Sequence, residues 1–154
     1  DEVVLVEEEE IAQGIVYLME NLKVVAEGSG AVTTAALLSG KYAPKENENV
    51  VCIISGGNVD VNNLYRIIGS GLAKEGRRYS FSVTMIDKPG GFSELTKIIS
   101  ENNANILNAN QSRLSSGAYI GKQNAEFVLE TFDNEHIQKI KSDIEAAGFE
   151  IKDL

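Results

Sequence analysis

Apolar residues at helical spacing predict three helices in the first half of the chain. The first helix is predicted to begin in the acidic run 7–10, where the helix dipole favours negative charge, and to reach about Asn21. Its buried face has spacings of four, three and four residues, at Ile11, Ile15, Leu18 and Leu22. A second helix is predicted within residues 31–38. A third begins near Val61, after Asp60, which is predicted to cap its N-terminus.

Two short apolar runs in the same half predict strands. They lie at residues 2–6 and 50–54, and the second is apolar throughout, as in a strand covered on both faces. Cys52, the single cysteine, lies inside this run, so it is predicted to be a reduced thiol in the core. Strand, glycine turn and helix in this order predict an α/β unit.

The pattern changes beyond the charged residues 74–78. Phe81, Val83 and Met85 alternate with polar residues, which predicts a half-buried strand. A turn, a helical stripe from Phe92, two strands, a helix and a final strand follow, with the strands at residues 105–113, 124–131 and 149–151 and a loop at residues 115–117 between the first two. The order βαββαβ is that of a ferredoxin-like α+β fold. We therefore predict two domains, residues 1–76 and 77–154.

Composition restricts the possible partners. The chain has 23 acidic and 14 basic residues and a formal charge of -9, which repels nucleic acid and anionic membranes. Its apolar runs are shorter than the roughly 20 residues that span a bilayer, and its N-terminus is acidic where a signal peptide would be basic. We expect a cytoplasmic protein without nucleic-acid or membrane partners.

Two glycine turns are the candidate sites of the first half. Residues 27–30 read Glu-Gly-Ser-Gly and residues 55–58 read Ser-Gly-Gly-Asn. The first turn lacks the third glycine of a dinucleotide fingerprint, because Thr33 occupies that position. His136, the single histidine, is far along the chain and is predicted to lie on the solvent side of a helix, so no hydrolase triad can be assembled. By themselves, both turns are compatible with a ligand site or with a tight structural turn.

Residues 25–31, 51–60 and 66–68 occur in an order and at a spacing that resemble the end of the catalytic domain in threonine and serine dehydratases. These enzymes have the pyridoxal-phosphate fold type II. The resemblance covers residues 1 to about 74. It implies that the parent reaction converts threonine to 2-oxobutanoate and ammonia, or serine to pyruvate and ammonia.

This resemblance also implies roles for five residues. The residue at Ser55 bonds the pyridine nitrogen of pyridoxal phosphate, Glu27 lies near the ring, and the wall beside it is formed by Gly56, Gly57 and Asn58. The family's Ser-x-Lys-x-Arg-Gly motif, which carries the Schiff-base lysine, and its glycine-rich phosphate loop are both missing. We therefore assign no catalytic or metal-binding residue, and expect the chain alone to hold no cofactor productively and to be inactive.

The second half resembles an ACT domain over residues 79–154. The motifs that carry the resemblance are residues 87–92, Asp-Lys-Pro-Gly-Gly-Phe, and residues 105–106, Asn-Ile. The resemblance implies a site for an amino-acid effector such as isoleucine, valine or threonine, across an interface where two copies pair into a homo-oligomer. The implied effector residues are Asp87, Gly90, Gly91, Phe92, Asn105 and Ile106.

Two alternatives to a regulatory enzyme fragment remain. A free-standing amino-acid-sensing or oligomerisation module explains residues 79–154 equally well, but leaves Glu27 and Ser55 without a role. RNA binding would need exposed aromatic residues on the central strands and a basic face. Phe81 and Phe127 are instead predicted to point inward, in an acidic chain. We also expect residues 1–74 to expose apolar surface, because their pattern suits a larger sheet.

Overall fold

The computed structural model describes residues 3–112 and 121–154. The chain divides into two compact units, Asp1–Glu75 (unit 1) and Gly76–Leu154 (unit 2). The predicted loop at residues 115–117 and the last residue of the strand predicted at 105–113 lie outside the described residues. None of the helices in the described ranges is long and apolar enough to cross a membrane.

Unit 1 is helical, and its three predicted helices are confirmed. They are α1 (Glu8–Tyr17), α2 (Gly28–Leu38) and α3 (Val61–Lys74), and a π-helical turn, Leu18–Leu22, continues α1. The acidic N-terminus of α1 is stabilised by a local hydrogen bond, in which the Glu7 N–H donates to Glu10 Oε2 at 2.7 Å. Asp60 caps α3 as predicted, because Oδ1 accepts from the N–H groups of Asn62 and Asn63 at 2.9 and 3.2 Å.

Two glycines let the helices of unit 1 approach closely. A Cβ atom at Gly71 of α3 would lie 2.6 Å from Val16 Cγ2 of α1, and one at Gly14 would lie 3.2 Å from the Ala31 carbonyl oxygen of α2. Larger side chains at these positions would therefore separate the helices. The apolar spacing had indicated which helix faces are buried, but not how close the backbones come.

The prediction of two strands in unit 1 is wrong. Within the described residues, neither the run at 2–6 nor the run at 50–54 belongs to a β-ladder. Val51 is 84% exposed and Ile53 is 71% exposed. A strand needs a neighbour for its backbone N–H and C=O groups, and here the Ile53 carbonyl accepts from a side chain, Thr33 Oγ1, at 3.2 Å. Cys52 is accordingly half-buried and does not lie in the core.

Apolar surface is exposed in unit 1, as expected from its pattern. Large apolar side chains with more than two thirds of their surface exposed include Val3, Leu5, Val51, Ile53, Val61 and Tyr65. Exposure of this extent over neighbouring segments is typical of surfaces that another element covers.

Unit 2 has the predicted βαββαβ order. Its elements are β1 (Arg78–Ile86), α4 (Gly91–Glu101), β2 (Asn105–Ser112), β3 (Lys122–Glu130), α5 (Asn134–Ala146) and β4 (Glu150–Asp153). The strands form one antiparallel sheet in the order β2-β3-β1-β4. The α+β ferredoxin-like prediction is confirmed.

One face of this sheet packs on α4 and α5. Alternate residues of the central strands are buried, including Phe81 of β1 and Phe127 of β3, which are 0% and 1% exposed. Their rings stack at 5.4 Å between centroids, and Phe92 of α4 stacks on Phe127 at the same distance. The aromatic residues thus point inward as predicted, and the central strands offer no aromatic platform for RNA bases.

None of the described helices of unit 2 covers the other face of the sheet, and we call it the open face. It is formed by the alternate residues that the register places opposite the core, which are Arg78, Ser80, Ser82, Thr84, Ile86, Lys122, Asn124, Glu126, Val128, Glu130, Asn105, Asn108, Asn110, Ser112, Glu150 and Lys152. Short polar and charged side chains predominate, which is how a solvated sheet face appears in sequence.

His136 was predicted to lie on the solvent side of its helix, and the structure corrects this. It is half-buried on α5, where Nδ1 accepts from the Phe132 N–H at 3.2 Å and Nε2 donates to the Asn102 carbonyl at 2.7 Å. Because Nδ1 is the acceptor, the neutral ring with its proton on Nε2 satisfies both contacts. The residue links α5 to the end of α4.

A polar cluster fastens β4 to the core. The buried Tyr79 hydroxyl donates to Asp153 Oδ1 at 2.6 Å, and Lys141 Nζ lies 2.8 Å from Asp153 Oδ2. The hydrogen bonds from Lys141 and then Tyr79 lower the pKa of Asp153, while burial and this carboxylate raise the pKa of Tyr79. Both shifts have the sign expected when the carboxylate stays charged and the phenol neutral.

Limited proteolysis tests whether unit 2 is stable by itself. We expect a protected fragment that begins near Arg77 and reaches the C-terminus, because unit 2 has its own core of stacked aromatic and aliphatic side chains. Mass spectrometry of the fragments identifies its ends. Faster digestion of residues 77–154 than of unit 1 would contradict this prediction.

The Asp153 cluster predicts a pH dependence of stability. The pKa of Asp153 lies below its usual 3.8 in the folded state, so its contribution is present above that value and is lost as the pH falls through the folded-state pKa. We expect Asp153→Asn to lower the melting temperature at about pH 7 and to have a smaller effect at about pH 2. Circular dichroism melts measure this.

Glu150→Gln is the matched control for this variant, since it removes the same charge from an exposed position of the same strand. Its melting temperature should differ little from that of the wild type at either pH. An Asp153→Asn effect of equal size at both pH values would contradict the assignment.

Candidate functional site

The structure brings the two glycine turns of unit 1 together around one carboxylate. The Glu27 N–H donates to the Gly56 carbonyl at 3.0 Å. The Glu27 side chain accepts at both oxygens, from Ser29 Oγ at 2.6 Å and from the Asn58 N–H at 3.2 Å. Glu27 therefore connects the two turns through its backbone and its side chain. Neither turn by itself had indicated this contact.

Glycine is required where the turns meet. A Cβ atom at Gly30 would lie 2.5 Å from the Gly56 carbonyl oxygen, and one at Gly57 would lie 2.7 Å from the Val25 carbonyl oxygen. These distances are shorter than real Cβ contacts, so any other residue would push the turns apart. The five residues with an implied cofactor role are thus neighbours, with Ser55 exposed beside Gly56.

These groups fit part of pyridoxal phosphate. An exposed hydroxyl at Ser55 suits the edge of a heteroaromatic ring, and glycines at positions 56 and 57 let a flat ring approach the backbone. The aldehyde needs a lysine in the Ser-x-Lys-x-Arg-Gly setting and the phosphate needs a glycine-rich loop, and this sequence has neither. The chain's own residues therefore fit the ring edge and do not fit the whole cofactor.

In unit 2, a glycine turn leads directly into α4. Gly90 has φ 98°, which favours glycine, and Gly91 is the buried first residue of the helix. The Asp87 N–H donates to the Gly121 carbonyl at 2.9 Å, which anchors the turn to the start of β3. The N–H groups of the first turn of a helix can donate hydrogen bonds to a carboxylate.

A cavity of about 330 Å³ adjoins this turn. Its lining includes apolar Met85 and Phe149 and charged Lys88, Glu94 and Glu150. An opening of this kind can admit a small zwitterion with an aliphatic side chain.

The remaining effector residues lie at the other end of the sheet. Asn105 begins β2 and pairs with Glu130, which pairs with Arg78 at the start of β1. Asp87 follows the end of β1, about 30 Å from Arg78 at 3.3 Å per residue. Within one copy, the structure does not bring Asn105 and Ile106 to the α4 turn.

Two charged residues at the Asn105 end were missed in the sequence. Asn105 Nδ2 donates to Glu130 Oε2 at 2.9 Å, and Arg78 is half-buried in the same cross-strand row. The register between neighbouring strands would have indicated them. Apolar alternation shows which face of each strand is buried, but it does not show which residues of two strands lie opposite each other.

Replacement of Gly57 tests the junction of the two turns. We expect Gly57→Ala to destabilise unit 1 by about 1–3 kcal/mol, because its Cβ atom meets a backbone carbonyl that cannot rotate away. Hydrogen–deuterium exchange should rise in peptides that cover residues 25–31. Gly28→Ala is the control, since its Cβ atom would have its nearest contact at 3.8 Å. Equal exchange in both variants would contradict the prediction.

Comparison with known proteins agrees with both units. The ACT domain family matches residues 79–149. L-Threonine ammonia-lyase of Thermotoga maritima is 42% identical over 99% of this chain and 37% of its own length, and that of Geobacter sulfurreducens is 42% identical over 97% and 37%. The catabolic L-threonine dehydratase TdcB of Staphylococcus aureus is 49% identical over 47% of this chain and 21% of its own length.

The chain therefore spans little more than a third of the length of the relatives that match it throughout. Their similarity includes the glycine turns of unit 1 as well as the sheet of unit 2, because it covers 97–99% of this chain. Along 97–99% of its length the chain is similar to the C-terminal part of the L-threonine ammonia-lyases, and it carries an ACT domain at residues 79–149.

Proposed function

We propose that this chain is the C-terminal, regulatory part of a pyridoxal-phosphate-dependent threonine ammonia-lyase, which converts L-threonine to 2-oxobutanoate and ammonia. The observation that carries the proposal is the 42% identity to L-threonine ammonia-lyase along 99% of the chain. A free-standing ACT protein would share only unit 2. We also propose a cytoplasmic location, which the single cysteine supports.

In this proposal, unit 1 supplies one wall of the cofactor site in the whole enzyme. Pyridoxal phosphate would supply the electron sink for β-elimination when the whole enzyme holds it. The Ser55 hydroxyl would donate a hydrogen bond to the pyridine nitrogen. Glu27 would hold the Ser55 turn in place through its contacts with Gly56 and Asn58. The chain alone is proposed to be inactive, because it lacks the anchoring lysine and the phosphate loop.

Unit 2 is proposed to sense an amino acid such as isoleucine, valine or threonine. The proposed residues are Asp87, Gly90, Gly91 and Phe92 at the α4 turn and Asn105 and Ile106 at the start of β2. Their separation within one copy supports a site shared between two copies. If two β2 edges pair antiparallel, the Asn105 end of one copy lies beside the other end of the partner's sheet.

The edge of the sheet supports such pairing. β2 is an edge strand, and its side chains Ile106 and Leu107 are 40% and 51% exposed. An exposed edge strand with apolar side chains is a ready partner for another strand. We propose a homo-oligomer formed through this edge. An effector at the interface would favour the subunit arrangement to which it binds more tightly.

A free-standing sensing or oligomerisation module is the second candidate. It is favoured by the separate core of unit 2, which is built entirely from residues of that unit. This candidate gives no role to the contacts of Glu27. An effect of unit 1 variants on a property of the whole enzyme would distinguish the two candidates.

Calorimetric titration of the full chain with isoleucine, valine, threonine and serine tests the proposal. We expect saturable heat with at least one of them, and its loss in Asn105→Ala. Asn108→Ala is the matched control, since it removes the same amide from an exposed position of the same strand. Added pyridoxal phosphate should support no release of ammonia.

The outcomes separate the parts of the proposal. Absence of heat with all four amino acids would contradict effector binding. Equal binding by both asparagine variants would remove Asn105 from the site. Ammonia release by the chain alone would contradict its proposed inactivity.

A further inference from the structure

The single histidine of the chain, His136, lies between two backbone groups whose hydrogen-bonding roles are fixed. The Phe132 N–H can only donate, and it lies 3.2 Å from Nδ1. The Asn102 carbonyl can only accept, and it lies 2.7 Å from Nε2. Both contacts are hydrogen bonds only when the ring is neutral and carries its proton on Nε2. The Phe132 ring stacks on this imidazole, with 4.7 Å between the ring centroids.

Phe132 belongs to the turn between β3 and α5, residues 131–133, which we call the β3–α5 turn. This turn holds the segment through which the chain enters unit 2. The buried Thr131 Oγ1 donates to the Gly76 carbonyl at 2.6 Å, and the Thr131 N–H donates to the Arg77 carbonyl at 3.1 Å. Gly76 has φ 72°, and a Cβ atom there would lie 2.7 Å from the backbone of the turn. The turn therefore fixes the backbone at Gly76 and Arg77.

Protonation of the His136 ring would remove one of its two backbone contacts. A protonated imidazole has N–H groups at both nitrogens and accepts no hydrogen bond. Nδ1 would then present a proton to the Phe132 N–H, which is a contact between two donors. The contact with the Asn102 carbonyl would remain, because Nε2 donates in both forms. Asn102 is also the C-cap of α4, where the helix dipole favours a positive charge.

The imidazole is the group near this turn whose charge changes around neutral pH. Histidine ordinarily changes charge between about pH 5 and 8, whereas carboxyl, ammonium and guanidinium groups ordinarily do so outside this range. Hydrogen bonds from Asn102 and then Lys139 lower the pKa of Asp143, so this carboxylate stays charged throughout. The charged residues of the elements that pack against the ring are Arg77, Glu101, Asp133, Glu135, Lys139 and Asp143.

We propose that His136 is a proton-sensitive clasp of the β3–α5 turn. The neutral ring holds the turn, and with it the entry of the chain into unit 2 at Gly76 and Arg77. When the ring is protonated, its hydrogen bond with the Phe132 N–H is lost, the turn loosens and the entry is held less firmly. The clasp responds to protons and needs no ligand, so it is independent of the proposed amino-acid sensing.

Nuclear magnetic resonance of the full chain tests the clasp, and the single histidine makes the ring signals unambiguous. At about pH 8, the ring nitrogens should show a proton on Nε2 and none on Nδ1. As the pH falls to about 5, protonation of Nδ1 should coincide with shifts of the amide signals of Phe132, Thr131 and Gly76. Protection of the Phe132 amide from hydrogen exchange, corrected for the intrinsic effect of pH, should fall about fivefold to tenfold, as for one lost hydrogen bond.

Two variants separate the ring from its charged neighbours. His136→Asn does not titrate, and its side-chain oxygen can accept from the Phe132 N–H in place of Nδ1. The same amide signals should not change with pH in this variant. Glu135→Gln is the control, because it removes an exposed charge next to the ring and leaves the imidazole in place. It should keep the pH response of the wild type.

Three results would overturn the proposal. The first is a proton on Nδ1 at about pH 8. The second is titration of the ring without movement of the Phe132 and Gly76 amide signals. The third is the wild-type pH response in folded His136→Asn, since another group would then be responsible. If that variant does not fold, the position of the proton and the coincidence of ring and amide titration in the wild type still decide the question.

Discussion

The register of β1 against β3 is the constraint on which the rest of unit 2 depends. Nine consecutive residue pairs, from Arg78 with Glu130 to Ile86 with Lys122, fix which side chains enter the core. A slip of one residue would exchange the aromatic stack for serine and threonine hydroxyls. The same register sets Arg78 opposite Glu130 on the open face, and the pairing of β2 with β3 sets Asn105 beside Glu130.

In unit 1, contacts between turns take the place of a β-ladder. Its extended segments have no neighbouring strand within the described residues, and the Glu27 side chain and backbone connect the turns that a sheet would otherwise align. The close approach requires glycine at positions 30 and 57. Exposed Val51 and Ile53 lie next to this junction in sequence, as is typical of a segment that completes a larger sheet.

The proposed effector residue Asn105 lies at the strand through which two copies are proposed to pair. Asn105 starts the edge strand through which pairing is proposed, and its neighbour Ile106 is part of that exposed edge. A ligand bound at Asn105 would therefore act close to the proposed interface. It can shift the arrangement of two copies only by the difference between its affinities for the alternative arrangements. A site beside the pairing edge is well placed to have such a difference.

The sequence by itself determined the three helices of unit 1, the βαββαβ order of unit 2 and the inward direction of Phe81 and Phe127, because apolar periodicity reports burial along one element. The strand predicted at residues 50–54 was wrong, because an apolar run indicates that a segment is covered but does not show which element covers it. Only the tertiary structure decided that Glu27 joins two distant turns, that His136 bonds Asn102, and that Arg78 stands beside Glu130. Those contacts join residues remote in the chain, and their distances follow from strand register and helix packing, which local periodicity does not specify.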